Sequence, residues 1–298
     1  YDAVRQARPG LANIGADAFD KQMDTLGKHL VAPVADALPK TVYWIPAGPL
    51  LGFPLDATRI SGQYLLERHS LVSLVSFPSN PDPGASLKTK AGQTEPPRMF
   101  LAGHPQDYSE RYANSLDTSE DIRVVADIFV GPGLRIVQGT ALLPDEFLDE
   151  RFAQADLVHL TSPGIIDLDY PGQSRLELSG SEFSQGRTYF RPRDLGDGKL
   201  NADLVFMSAT RTMGEPHSGF NKQTGLVSGF ISKGATAVIA NFWGIHGKET
   251  EAFVTDFYNS LLRSGDIAFS LTEAKRQYLS DQRANGLYDW AAFQVFID

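Results

Sequence analysis

The sequence contains no cysteine. A disulfide framework, a thiolate metal site and a cysteine nucleophile are therefore excluded. A cysteine-free chain suits the cytoplasm and also export without disulfides, so the compartment stays open, with the cytoplasm the first choice. There is no apolar run of about 18 residues, which excludes a membrane-spanning helix. No block of Lys and Arg stands out, so the electrostatic footprint of a nucleic-acid binder is missing. Neither G-x-x-x-x-G-K-[ST] nor G-x-G-x-x-G occurs, and neither does a G-x-S-x-G elbow. No His, Asp and Glu residues fall at metal-ligand spacing. No cofactor and no metal are expected. The chain opens on Tyr1, with neither Met nor a signal-like segment, as a piece cut from a longer protein would.

What is present is ordinary for a globular protein. Apolar residues make up 42% of 298 residues and charged ones 21%, enough to build a sizeable core. The net charge of −9 is spread along the chain and reads as solubility. Phe19, Met23, Leu26, Leu30, Val34 and Leu38 form one helical stripe, with a break expected before Pro33. Residues 41–46 read as a strand, and residues 64–75 as a strand pair around Glu67, Arg68 and His69. Residues 77–97, with five prolines, read as a mobile surface loop. Arg98 to Gly103 is a strand, and Thr118-Ser-Glu-Asp121 is a capping-box pattern opening a helix with Ile122, Val125, Ile128 and Phe129 on one face. A strand over 134–137 and a short helix over 144–154 follow. Beyond them come strands at 176–178 and 188–190, a helix carrying Leu226, Phe230 and Ile231, and a strand over 236–243. A strong amphipathic helix carries Phe253, Phe257 and Leu261. The next helix, capped by Asp266, carries Ile267, Leu271 and Ala274. Residues 290–297 close the chain as a strand. This alternation predicts one sheet of about six mostly parallel strands, covered by helices on both faces. The reading divides the chain into a helical leader, 1–40, and a single α/β domain, 41–298.

Two strand ends carry the functional information. One reads Asp-Leu-Val-His-Leu-Thr-Ser-Pro-Gly, from Asp156 to Gly164. The other reads Ala-Asp-Leu-Val-Phe-Met-Ser-Ala-Thr-Arg-Thr-Met-Gly, from Ala202 to Gly214. Each is an apolar run stopping at small residues, the mark of a buried parallel strand feeding a loop at its carboxyl end, where α/β proteins bind ligands. The pair resembles the CHAT family of caspase-like proteins, whose corresponding segments look like His-Phe-Ala-Thr-His-Gly and Ser-Ala-Cys-x-Thr-Gly. Further pieces agree in order. They are Tyr43-Trp-Ile-Pro-Ala-Gly-Pro-Leu-Leu-Gly-Phe-Pro-Leu, Arg68-His69-Ser-Leu-Val, the run from Gly225 to Trp243, and Trp290-Ala-Ala-Phe293. The resemblance implies a caspase-like three-layer sandwich, with helices on both faces of a mostly parallel sheet. It also implies that the strands ending near Ser162 and Ala209 are neighbours.

In the family the second His and the Cys are the catalytic dyad. Here those positions hold Pro163 and Thr210. Pro163 has no titratable group, and the Thr210 hydroxyl is a poor nucleophile without an adjacent base. The family's Trp-x-Val-x-Asp segment, whose Asp accepts a basic substrate side chain, corresponds here to Trp243-Gly-Ile-His246-Gly247, so Gly247 supplies no carboxylate. His159 matches the first His of the family pattern, and lies about 13 Å along a strand from position 163. His159, Ser208, His217, Trp243 and His246 are the remaining candidates for a cleft. The resemblance thus implies an inactive peptidase relative that binds a protein or peptide partner, with helical TPR repeats in the same or a neighbouring chain as one candidate. The rival is a hydrolase using Thr210 as nucleophile and His217 or His246 as base.

Overall fold

The structure, a computed structural model, describes residues 16–47, 50, 53–77, 86–87, 96–103, 118–162, 164–165, 167, 170–178, 189–208, 224–241, 248–280 and 289–298. Its centre is an eight-stranded sheet. The strands are β1 (Thr41–Trp44), β4 (Ser70–Leu74), β5 (Met99–Gly103), β6 (Leu134–Gln138), β7 (Leu157–Thr161), β11 (Leu204–Met207), β12 (Ala237–Asn241) and β13 (Phe293–Ile297). Their spatial order is β1-β4-β13-β12-β11-β7-β5-β6. Five of them, from β12 to β6, run parallel to one another, and β13, β4 and β1 form a second parallel block in the opposite direction. The single antiparallel seam lies between β12 and β13. Strands β5, β7, β11 and β12 are buried along their whole length and mostly apolar, as a parallel sheet covered on both faces requires, with His159, Thr161 and Asn241 the polar exceptions. The sequence reading expected about six strands. The two extra ones arise because the chain's last strand inserts beside β12 and carries β4 and β1 with it.

Helices close both faces. On one face lie α2 (Thr118–Ile128), α5 (Lys248–Ser264) and α6 (Ile267–Ser280); α2 packs on α5, and α5 on α6. On the other lie the short α3 (Glu150–Ala153), α4 (Thr224–Ser232) and the ring cluster of Phe147, Phe152, Phe190 and Phe230. The first helix, α1 (Ala16–Leu30), sends Phe19, Met23 and Leu26 into the main core. It stops before Pro33 as its sequence demands, and a 3-10 turn continues over Ala32–Ala37. Helix α6 starts where Asp266 accepts the Phe269 N–H at 2.9 Å, and Gly265, at φ 69°, makes the turn that separates it from α5. The remaining helical piece, α7 (Asp289–Ala292), precedes β13, where the sequence suggested strand from Trp290 onward.

Three other local readings change. Residues 64–75 are not a strand pair. The pair β2 (Arg59–Ile60) and β3 (Gln63–Tyr64) forms its own hairpin, whereas β4 lies beside β1 and β13. The segment 144–154 is not one helix, because the Asp149 carboxylate accepts the Arg151 N–H at 2.7 Å and so starts a fresh turn. Strands β8 (Gly164–Ile165), β9 (Arg175–Glu177) and β10 (Tyr189–Phe190) build a separate antiparallel sheet directly after β7. Most of the loop expected over 77–97 lies outside the described residues. Its Ser86 and Leu87 dock on the α5–α6 turn, with the Leu87 N–H donating to Gly265 O at 2.8 Å.

Candidate functional site

The connection from β5 runs through α2 to β6, and the chain then crosses back to β7 on the other side of β5. In α/β sheets such a reversal of strand order marks the place where ligands bind, here the carboxyl ends of β5 and β7. Strands β7 and β11 are hydrogen-bonded neighbours in register, with His159 beside Phe206 and Leu160 beside Met207. Both strand ends singled out by the sequence therefore finish side by side. Pro163, Thr210, His217, Trp243, His246 and Gly247 lie outside the described residues; His159 and Ser208 lie within them.

The two faces of β7 alternate, so His159 and Thr161 look toward α2 and α5. His159 is fully buried. Its ring stacks on Phe206, with centroids 4.9 Å apart, and its Nδ1 makes a 2.8 Å hydrogen bond with the Tyr258 hydroxyl of α5. Tyr258 is held edge-on by Phe129. Burial pushes the imidazole down to about 3 and the Tyr258 phenol well above its ordinary value. Both groups are thus neutral at any physiological pH. An imidazole so weakly basic, sealed under α5, cannot take a proton from a nucleophile on the surface.

One step nearer the carboxyl ends is a tier of small polar side chains on the same face. Thr161 of β7, Ser208 after β11 and Asn241 of β12 are all buried. Ser208 Oγ donates to Asp121 Oδ2 of α2 at 3.1 Å, and the Ser208 N–H donates to Leu160 O at 2.9 Å. This pair ties Ser208, just past β11, to both α2 and β7. Thr161 Oγ1 is buried, without a hydrogen-bond partner among the described residues, and it leans over Gly103. A side chain at 103 would meet Thr161 Oγ1 at 2.3 Å and Ile122 Cδ1 at 2.2 Å, so β5 ends on the one residue that fits.

Beyond β7, the small antiparallel sheet holds Tyr189 between two guanidinium groups, Arg175 at 5.5 Å and Arg191 at 5.1 Å from the ring centroid. Each is also neutralised, Arg175 by Glu177 at 3.1 Å and Arg191 by Asp194 at 2.9 Å. Among the described residues no group of three metal-ligating side chains occurs, and no helix is long and apolar enough to cross a membrane.

The model of the CHAT domain matches residues 20–298. This chain belongs to the CHAT domain family. No curated protein matches it. Among solved structures, the Saccharomyces cerevisiae separase–securin complex is similar over 82% of this chain and 14% of that one, at 10% identity and a TM-score of 0.48. The arginine-specific cysteine proteinase gingipain R is similar over 68% of this chain and 46% of its own, at 11% identity and a TM-score of 0.44. The complex of Porphyromonas gingivalis RgpB pro- and mature domains matches over 67% and 47%, at 10% identity and 0.44. This CHAT domain thus spans less than half of each of those chains. Its α/β architecture is a mostly parallel eight-stranded sheet between helical layers.

The sequence did not point to Tyr258, Asp121 or Thr161. Tyr258 read as one more apolar position on an amphipathic helix, and Asp121 as part of a capping pattern. Their partners are 99 and 87 positions away, and only the sheet order brings them together.

Proposed function

We propose that this CHAT domain is catalytically inactive and acts as a protein-binding or regulatory module, engaging a protein or an extended peptide at the carboxyl ends of β7 and β11. The observation that carries the reading is Pro163. It stands two residues past Thr161, in the segment where the family's imidazole belongs, and proline can neither accept nor donate a proton. Thr210 in place of the thiol and Gly247 in place of the specificity acid add to it. The fate of His159 supports it as well, since the one nearby imidazole among the described residues is neutral, buried and committed to Tyr258. Loss of reactive side chains leaves backbone donors and acceptors in place, and an extended peptide binds through those. TPR repeats, in this or a neighbouring chain, remain the candidate partner.

The test is turnover. The chain is incubated with arginine- and lysine-containing peptides, alongside Thr210→Ala and Thr210→Cys. No cleavage is expected from any of the three, because a restored thiol still lacks its base and its substrate anchor. Cleavage by the parent chain that disappears in Thr210→Ala would overturn this reading in favour of a threonine nucleophile assisted by His217 or His246.

A further inference from the structure

The central sheet is built of two blocks that meet at one seam. From β12 to β6 the strands run one way, and β13, β4 and β1 run the other. The first block is continuous in sequence, with β5 to β12 and α2 to α5 all within residues 99–264. The second is assembled from two distant stretches. Helix α1 and strands β1 to β4 come from residues 16–74, and α6, α7 and β13 from residues 267–297. Among the described residues, extensive packing between the blocks is confined to two pairs of elements, β12 with β13 and α5 with α6.

The two stretches of the second block are tied to each other by polar bonds. Lys275 of α6 pairs with Asp56 and donates to the Phe293 carbonyl, and both charged side chains are buried. Gln294 of β13 donates to the other Asp56 oxygen at 2.8 Å. Around that cluster, Arg276 Nε donates to Leu66 O at 2.8 Å, and Ser76 Oγ donates to Asp298 Oδ1 at 2.6 Å. Trp290 meets Tyr64 edge to face at 5.1 Å. Across the seam, Phe293 stacks on Phe253 at 4.7 Å and lies 5.5 Å from Phe206. This difference decides how the blocks come apart. Freeing one stretch alone leaves a buried carboxylate or a buried ammonium without the partner that offsets its desolvation. Freeing both together returns both charges to water. Parting the seam leaves no charge stranded, and its apolar cost scales with the area exposed, which is less than that of the whole core.

We infer that these two stretches form a clasp, one cooperative unit that opens along the β12–β13 seam while β5 to β12 stay folded. Once parted from β12 and α5, the clasp has lost the surfaces its apolar faces pack on, so it unfolds as it opens. Openings of this kind lie between local fraying and global unfolding in free energy. The line of opening matters because the ends of β7 and β11 belong to the block that stays. Asn241, in the buried polar tier, pairs with Phe293 directly across the seam. Opening removes one flank of that tier without unfolding it, so a partner that pulls on α1 acts on the tier through the clasp. The inference stands on the topology and on the Asp56 cluster, and holds whether or not the domain is a peptidase.

Native-state hydrogen exchange of the 298-residue chain, followed by mass spectrometry from zero urea to just below the unfolding midpoint, tests this on the unaltered protein. Peptides covering β4 and β13 should exchange through one shared opening. Its urea slope should be smaller than that of global unfolding, and its rates about tenfold or more above those of β5, β7 and β11. Two substitutions then separate the blocks. Leu157→Ala, in the buried β7, should speed exchange in β5, β7 and β11 by about tenfold or more and leave β4 and β13 unchanged, since the clasp opens without unfolding β7. Lys275→Met should speed β4 and β13 together. Equal rates and slopes in β4, β13 and β7 would overturn the inference, as would separate openings for β4 and β13. So would a Leu157→Ala variant whose β4 and β13 speed up as much as β7, or a Lys275→Met variant in which only one of the two strands responds.

Discussion

Replacing His159 with Phe, alone and together with Tyr258→Phe, measures what a buried neutral imidazole costs this fold in acid. In the unfolded chain a histidine titrates near 6.5, and in the folded protein burial holds this one at about 3. Between those values the unfolded state binds a proton that the folded state refuses. Stability then falls with acid by about 1.4 kcal/mol per pH unit, and above pH ~6.5 the contribution is flat. At pH 5 the loss from this one residue is about 2 kcal/mol relative to pH 7, and it reaches about 4 kcal/mol at pH 3. The single variant keeps a flat ring on Phe206 but strands the Tyr258 hydroxyl, at a cost of about 1–3 kcal/mol at pH 7. The double variant removes both partners, so its stability at pH 7 should lie near the parent's. Urea unfolding followed by circular dichroism at pH 7, 6 and 5 gives all three curves. The carboxylates titrate in every variant and cancel in the comparison. The double variant should gain about 2 kcal/mol on the parent between pH 7 and pH 5. Parallel losses of stability in parent and double variant would show that His159 is not the buried neutral group described, and the argument against it as a catalytic base would go with it.

Other expectations follow from close contacts. Lys275→Met should cost about 3–5 kcal/mol, because it leaves Asp56 charged in the core, and adding Asp56→Leu should recover part of that; chemical denaturation at pH 7 reads both. Gly27→Ala should unfold at a distinctly lower temperature than Gly133→Ala. A side chain at 27 would run into the Arg59 carbonyl, whereas at 133 its nearest neighbour is 3.5 Å away. Ser208→Ala should lose about 1–2 kcal/mol, since the bond to Asp121 is charge-assisted, and Asp121→Asn should lose less because an amide oxygen still accepts it.

Much of this architecture is legible from sequence for one reason: strands buried on both faces are continuous apolar runs. Leu157–Thr161, Leu204–Met207 and Ala237–Asn241 could be placed that way, and the family resemblance made the first two neighbours. Caps were equally local, as Asp266 shows. What escaped depends on distant partners. Nothing in residues 293–297 says that they insert between β12 and β4 rather than extend an edge. Lys275 reads as the polar face of α6, yet its Nζ lies buried against Asp56 and the Phe293 carbonyl, with the Gln294 amide donating to the same Asp56 at 2.8 Å. These residues join the start of the domain to its end, and a helical wheel cannot reveal a partner 219 positions away. Burial there lowers the Lys275 pKa, and the Asp56 carboxylate beside it opposes that shift.

The polar tier at the strand ends bears on why a domain can lose chemistry and keep its shape. Thr161, Ser208 and Asn241 are buried, and Ser208 is fastened to a helix through Asp121 and to the neighbouring strand through the Leu160 carbonyl. Replacing a member of such a tier strands a buried group at a cost of about 1–3 kcal/mol, a large share of a domain's stability. Positions 163 and 210 come two residues after Thr161 and Ser208 in the sequence, beyond this buried tier. On the proposed reading, substitution at those positions removed a nucleophile and a base without disturbing the layer that sets the height and spacing of the loops. On that reading the surface offered to a partner depends on Gly103, Thr161, Ser208 and Asn241, which set the strand ends, rather than on the reactive positions. Ser208→Ala should accordingly weaken partner binding more than Thr210→Ser does, although Thr210 stands at the position of the family's nucleophile.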